Sequence, residues 1–151
     1  MNENQDMRVL YVRDCHTEDH CSIEENGGPL PKHAVKGTEE CRVDKRFYGV
    51  KKTINTPIER YNVFSKGTDS QKEEYSGFDA VNDCYGQLKF NLTSSVVVSG
   101  IATEYCVKNT AEDLIKSSFK VSILKRALGY INKEDHKKVL KDLEEMGATL
   151  I

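Results

Sequence analysis

Strand and helix patterns alternate through the second half of the chain, and this alternation limits the fold more than any other feature. The β-branched run SSVVVSG at 94–100 is typical of a strand that is buried on both faces of a parallel sheet. A helical pattern follows it, with Thr103 and Glu104 as first-turn signals, and KVSILKRA at 120–127 is predicted to form the next strand. Right-handed βαβ units have this order, so the sequence predicts an α/β fold with a parallel sheet.

Shorter signals predict the remaining elements. A helix is expected at 132–147, with Asn132 as its N-cap and Gly147 at its C-terminal end, and the closing ATLI is a candidate last strand. In the first half, strands are predicted at 7–14 (MRVLYVRD) and 61–65 (YNVFS). The polar chain between them has no sustained period, and long loops in compact domains are usually functional or disordered.

Length and composition fit one domain over residues 1–151. A chain of 151 residues buries roughly two thirds of its unfolded surface, which is enough for one core. Lys and Arg number 22 against 24 Asp and Glu, interspersed, so no nucleic-acid surface is predicted. No apolar run has the length of a membrane span or a secretory signal. Five cysteines in such a chain favour free thiols, a metal or a catalytic thiol over a disulfide framework. We expect a cytoplasmic protein with no membrane partner.

Three of the four histidines lie between residues 13 and 38. Asp14 and His16 are two residues apart at a strand end, so their side chains leave the same face if the strand continues. His33 returns from the loop and completes two imidazoles and a carboxylate, the ligand set of a catalytic zinc or iron with an open position. His20 is a further candidate in this cluster.

Two other interpretations of this segment stay open. The histidines are solvated loop residues in the simpler one. In the other, Cys15 and Cys21 join the histidines in a structural zinc knot, although their spacing is not the C-x-x-C of such sites.

Cys106 is the candidate nucleophile. It falls in the first turn after the strand at 94–100, where helix N-terminal amides favour the thiolate. The backbone amides of Ala102 and Cys106 would then form an oxyanion hole. A small buried cysteine that packs the helix against the sheet is the alternative.

Lys66 follows the strand at 61–65 and precedes Gly67, at a carboxyl edge where ligands of α/β sheets bind. A lysine at such a place is most often a surface residue. It becomes a candidate because Cys106 and the histidine segment are expected at the same edge. We therefore predict that the Cys106 thiol, the Lys66 amine and the histidine segment line one pocket at this edge of the sheet.

Four blocks in this order, DCHTEDHCS, GGPLPKHAVKGT, FSKGTDSQKEEYSGFD and VVVSGIATEYCVKNTAEDLI, resemble the nicotinamidase/pyrazinamidase branch of the isochorismatase-like cysteine hydrolases. The similarity covers residues 7–151. The D-x-H-x-x-x-H block with the later P-x-H is specific to this branch, whereas G-I-A-T-x-x-C-V-x-x-T-A is shared more widely. The resemblance implies a three-layer fold, whose mostly parallel, six-stranded sheet has helices on both faces. It also implies a divalent metal (Zn²⁺, Fe²⁺ or Mn²⁺) and hydrolysis of nicotinamide to nicotinate and ammonia through a cysteine thioester, in NAD salvage.

The resemblance assigns three kinds of site residue. The metal ligands are Asp14, His16, His33 and, in some members, His20. The catalytic residues are the nucleophile Cys106, the lysine Lys66 and Ala102, whose amide serves the oxyanion. The residues at the substrate pocket are Leu30, Tyr75 and Ile101, and the Ile101-Ala102 bond falls where the family has a cis peptide.

The chain departs from the family at three places. Leu30 stands where a tryptophan is usual, and leucine stacks less well on a pyridine ring. Ala34 replaces a frequent cysteine. The family's first strand, whose D-x-Q-x-D-F block holds the aspartate that takes the proton from the cysteine, is missing from this chain, so turnover is expected to fall by about 10² to 10⁴.

Two alternatives to a nicotinamidase follow from these departures. One is a truncated, catalytically impaired family member that acts as a non-enzymatic or partner-dependent remnant. The other is a hydrolase of another amide or of isochorismate, and the histidine block disfavours isochorismate. The expected partner is a small aromatic amide, and homo-oligomerisation is left open.

Overall fold

The computed structural model describes residues 7–48 and 55–151, which divide into two compact units. The first unit runs to Glu74 and includes 80–88, and the second comprises 75–79 and 89–151. The strands are β1 (Tyr11–Asp14), β2 (Val63–Lys66), β3 (Val81–Asn82), β4 (Gly86–Gln87), β5 (Ser95–Gly100), β6 (Lys120–Leu128) and β7 (Thr149–Leu150). The helices are α1 (Lys108–Lys116) and α2 (Lys133–Glu145), a π-helical turn at Thr103–Val107 that leads into α1, and 3₁₀ turns at Glu24–Asn26, Lys45–Phe47 and Leu88–Asn91.

The sheet of the first unit has the order β1-β2-β3-β4. β1 and β2 are parallel, and their register runs from Tyr11 opposite Val63 to Asp14 opposite Lys66. Both predicted strands are confirmed, but β1 is shorter than predicted, and β2 begins two residues later and includes Lys66, which was expected to follow it. β3 and β4 add an antiparallel hairpin, which the sequence did not predict because two-residue strands carry no period.

The sheet of the second unit is parallel throughout, in the order β5-β6-β7. Its core is formed by apolar side chains of α1, β6, α2 and the residue before β7, namely Ala111, Leu114, Val121, Ile123, Val139, Leu143 and Ala148. Each helix turns one apolar stripe to this core, as an amphipathic helix requires. The predicted alternation of strand and helix, and with it the α/β fold, is confirmed.

The expectation that β5 is buried on both faces is wrong. Its residues alternate between exposed and partly buried, and Val97 is 42% exposed. The physical reason is pairing: among the described residues β5 is the end strand of its sheet and bonds to β6 alone. β1 is likewise an end strand, and its Val12 is 39% exposed.

The predicted N-cap of the last helix is confirmed. The Asn132 side-chain oxygen accepts hydrogen bonds from the amides of Glu134 (2.8 Å) and Asp135 (3.2 Å). Glu104, in the π-helical turn, accepts from the amides of Ile131 (2.8 Å) and Asn132 (2.6 Å), so it ties this turn to the start of α2. Over the two described ranges, no helix is long and apolar enough to cross a membrane.

Replacing Glu104 by alanine should destabilise the fold by about 1 kcal/mol, because two amide hydrogen bonds to a carboxylate are lost at a partly exposed position. Burial acts to raise the pKa of Glu104, but the amides of Asn132 and Ile131 hold it below its ordinary 4.5. The stabilisation is therefore present above pH 4.5 and is lost as the pH falls through the lowered pKa. Urea denaturation of the wild type and the variant at two pH values measures this. Glu145→Ala removes a carboxylate that pairs with the exposed Lys141, and it serves as the control. It should change the free energy of unfolding by less than about 0.5 kcal/mol. Equal losses in both variants would contradict the role of Glu104 at the start of α2.

Candidate functional site

A partly buried ion pair joins the carboxyl ends of β1 and β2. Asp14 and Lys66 are the last residues of the two strands and stand opposite each other in the register. The Lys66 ammonium donates to a carboxylate oxygen of Asp14 and to the carbonyl oxygen of Glu74 at 2.9 Å. Lys66 is only 5% exposed, and an ammonium at such a depth requires partners of this kind. The parallel register thus places a buried amine beside a carboxylate.

His16 lies two residues beyond Asp14 and is 2% exposed. Its amide donates to the carbonyl of Ala34 (2.9 Å), and the amide of Lys36 donates to the carbonyl of His16 (2.8 Å), so the returning loop pairs with it. Its Nδ1 donates to the carbonyl of Gly67 at 2.9 Å, which leaves the lone pair on Nε2, 4.0 Å from the Asp14 carboxylate. Burial lowers the pKa of His16 below 6.5, which favours the neutral ring that a metal ligand must be.

Gly67 makes room for the His16 ring. Its φ is +63°, a left-handed conformation that L side chains rarely adopt. A Cβ atom added there would lie 2.4 Å from Cε1 of His16, which is far inside contact distance. Glycine is therefore required at position 67, both for this backbone conformation and for the space that the His16 ring occupies.

His33 is brought to His16 by the returning loop, in which Ala34 has a φ of +47°. The two imidazole centroids are 4.8 Å apart in an edge-on arrangement. The Nδ1 of His33 donates to the carbonyl of Pro31 at 2.7 Å, so its lone pair is also on Nε2. The loop thus presents a second imidazole to the neighbourhood of Asp14.

The His20 ring contacts the His16 ring in a tilted arrangement, with a centroid distance of 4.1 Å. Its Nδ1 accepts from the amide of Ser22 at 3.2 Å and lies 2.7 Å from the Ser22 hydroxyl, and its Nε2 donates to the carbonyl of Lys72 at 3.2 Å. To ligate a metal, as the resemblance implies, His20 must give up one of these bonds.

The donor set around Asp14 fits a divalent metal in its chemistry. The Nδ1–H groups of His16 and His33 each donate a hydrogen bond to a backbone carbonyl. Hydrogen bonds of this kind orient the imidazoles that bind metals in proteins. Within residues 7–48 and 55–151, however, no three His, Cys, Asp or Glu side chains already stand in position around one point. Asp14 is instead held by Lys66.

Cys106 lies in the π-helical turn that follows β5, in the second unit. The Ile101-Ala102 peptide bond just before this turn is cis, as the resemblance implied. The amide and hydroxyl of Thr103 both donate to the carbonyl of Gly129 at 2.9 Å, which fixes the turn against the end of β6. The thiol is partly buried, near the N-terminal end of the continuous helical segment that the π-helical turn forms with α1.

The residues expected at the substrate pocket lie on both units. Leu30 is part of the histidine loop and pairs through its backbone with Ile23. Tyr75 contacts Tyr105 with a centroid distance of 5.7 Å. Ile101 is exposed and lies over Gly129, where an added Cβ would come within 2.3 Å of its side chain.

The structure thus brings together Asp14, Lys66 and the three histidines of the first unit. Cys106 and Ala102 belong to the second unit, and the pocket that Cys106 is expected to line with Lys66 stays a prediction.

The isochorismatase domain family matches residues 3–151. The chain belongs to this family. It is 25% identical to the nicotinamidase of Schizosaccharomyces pombe in an alignment of 169 positions that covers 95% of this chain and 73% of that protein. The pyrazinamidase of Pyrococcus horikoshii in complex with zinc superposes with a TM-score of 0.80 at 33% identity, covering 99% of this chain and 77% of that one. The L. infantum protein PnC1 in complex with nicotinate gives 0.77 at 28% identity, over 95% and 71% of the two chains. These relatives assign the chain to the nicotinamidase branch of the isochorismatase-like family.

Sequence analysis of this isochorismatase domain missed two contacts. Glu74 accepts from the amide of Gly67 (2.9 Å) and supplies a carbonyl to Lys66, and nothing in its polar surroundings indicated either bond. The other contact joins Cys15 to Cys41, with sulfur atoms 2.7 Å apart. Burial and the neighbouring Cys41 raise the pKa of Cys15 to about 11, so this thiol is protonated and differs from a metal-bound thiolate.

Replacing Gly67 by alanine should displace His16 and cost about 2 to 4 kcal/mol, because a strained φ is combined with a clash in a buried site. Gly86→Ala is a matched control, since its φ is +68° and nothing lies within 4 Å of the added Cβ. Chemical denaturation of both variants, with the imidazole NMR signals of His16 as a local readout, tests this. Equal losses of stability and an unmoved His16 signal would contradict the proposed role of Gly67.

Proposed function

We propose that this chain is an amidohydrolase that converts nicotinamide, or a closely similar aromatic amide, to nicotinate and ammonia, a step of NAD salvage. The observation that carries the proposal is the pair of the buried Lys66 with Asp14, with His16 and His33 beside it, in an isochorismatase domain. The nicotinamidase and pyrazinamidase named among its relatives support hydrolysis of an amide.

Asp14, His16 and His33 would hold a divalent metal, with zinc first and iron or manganese as alternatives. When bound, such a cation supplies a Lewis acid to which the ring nitrogen of the substrate can attach. The zinc complex of the P. horikoshii pyrazinamidase supports this choice. Leu30, Tyr75 and Ile101 would contact the flat ring, and His20 would support His16 through the contact of their rings.

Cys106 would act as the nucleophile. Its thiolate attacks the carboxamide carbon, and the amides of Ala102 and Cys106 stabilise the negative charge on the carbonyl oxygen. The bond from carbon to nitrogen then breaks, and the nitrogen leaves as ammonia with a proton from solvent, to which the thiol had released its own proton. Water cleaves the resulting thioester, which releases nicotinate and restores the thiol.

Lys66 would stabilise the thiolate and the charge of the transition state. A buried ammonium interacts with a neighbouring negative charge more strongly than a solvated one, because the local dielectric constant is low. Asp14 and the Glu74 carbonyl hold the amine in one direction, so little reorganisation is needed during the reaction.

Cys106→Ala should reduce ammonia release from nicotinamide by at least about 10³-fold, because the nucleophile is lost. The assay measures ammonia from the purified protein supplied with zinc or iron. Cys84→Ala, at an exposed thiol of the β3–β4 hairpin, is the matched control and should retain wild-type release. A wild type that releases no more ammonia than Cys106→Ala would contradict the proposal and favour a non-enzymatic family member.

His33→Ala should weaken zinc binding by at least about 100-fold, because one of three protein ligands is removed. His136→Ala, at the fourth histidine, which stacks on Tyr130 in the second unit, should bind zinc like the wild type. Equilibrium dialysis followed by metal analysis measures both affinities without an activity assay. Equal zinc affinities in the two variants would remove His33 from the ligand set.

A further inference from the structure

The proposed reaction does not use two thiols that lie in contact in the first unit. The Cys41 thiol donates to the sulfur of Cys15 at 2.7 Å, well inside van der Waals contact of two sulfur atoms. Both residues are buried, and they are 26 positions apart in the chain. Two cysteines so distant in sequence meet only because the loop between them folds back on itself.

Separate sets of hydrogen bonds restrain the two chain segments that carry these sulfur atoms. Cys15 follows β1, and its amide donates to the carbonyl of Lys66 at 2.9 Å. Cys41 lies in a tight segment in which the amide and hydroxyl of Thr38 donate to the carbonyl of Val35, at 3.0 and 2.7 Å. Val35 pairs in turn with His16. Because both chain segments are restrained with their thiols in contact, a disulfide bond between them needs little rearrangement of the native fold. A disulfide stabilises a fold under this condition.

We propose that Cys15 and Cys41 are a redox-sensitive pair that forms a reversible disulfide. The bond would close residues 15–41 into a covalent loop, and this loop contains His16, His20 and His33. Oxidation would therefore restrain the whole histidine segment against local unfolding, and reduction would release it. The proposal concerns a covalent modification and does not depend on amidase activity.

The chemistry is thiol–disulfide exchange with a small-molecule disulfide as the oxidant. One thiol loses its proton and attacks a sulfur of the oxidant, which forms a mixed disulfide and releases one small thiolate. The second thiol loses its proton and attacks the protein sulfur of the mixed disulfide, which forms the Cys15–Cys41 bond and releases a second small thiolate. The two protons end on these two products, so two protein thiols are oxidised and one small disulfide is reduced. Both cysteines border a cleft of about 1070 Å³ in the first unit, which gives the oxidant access.

Oxidised glutathione is the probe for the test. The wild type is incubated with it, unreacted thiols are alkylated under denaturing conditions, and the peptides are mapped by mass spectrometry. We expect one cross-linked pair that contains Cys15 and Cys41 and is lighter by two hydrogen atoms, whereas Cys84 is found as its glutathione adduct or alkylated. Reduction before alkylation should abolish the cross-link.

Thermal unfolding gives a second readout. Oxidation should raise the Tm of the wild type and of Cys84→Ser by about 5 °C or more, and should leave the Tm of Cys41→Ser unchanged. The glutathione adduct of the exposed Cys84 shows that the oxidant has acted. If Cys15 and Cys41 remain separately alkylated in that same sample, or if either pairs mainly with another cysteine, the proposal is wrong.

Discussion

The salt bridge of a buried lysine, between the ends of two parallel strands, is the constraint on which the rest of the candidate site depends. Removing a lysine ammonium from water is costly, and only hydrogen bonds to groups such as a carboxylate and a carbonyl offset that desolvation penalty. For Lys66 these groups are the carboxylate of Asp14 and the carbonyl of Glu74. A slip of one residue between β1 and β2 would turn Asp14 to the other face of the sheet and leave the ammonium unpaired, so the ion pair and the register require each other.

The histidines follow from this register. Once β1 ends at Asp14, the next residues reach the returning loop, and the backbone bonds of His16 to Ala34 and Lys36 draw His33 close. Gly67, directly after Lys66, accepts a hydrogen bond from His16 on its carbonyl oxygen and leaves space for the imidazole ring. Two strand ends and one glycine thus orient the imidazole nitrogens that a divalent metal would need, from residues more than fifty positions apart in the chain.

Much of this arrangement could be predicted from the sequence, because it depends on local patterns. The β-branched run before Cys106, the cap at Asn132 and the histidines beside Asp14 are visible as composition and spacing. The exposure of Val97 was not predictable in this way, since a β-branched run does not reveal how many neighbours its strand has. The contact of Cys15 with Cys41 depends on how a loop without a period folds back, which no local pattern encodes.

The register and the site therefore depend on the energetic coupling of Asp14 and Lys66, and a double-mutant cycle measures this coupling most directly. Asp14→Asn, Lys66→Met and the double variant are unfolded in urea beside the wild type. If the pair sets the register and the site, the losses of unfolding free energy in the two single variants should sum to more than the loss in the double variant. The difference, which is the coupling free energy, should be about 1 to 3 kcal/mol. Losses that add to within about 0.5 kcal/mol would mean that the two side chains act independently, and would contradict the account.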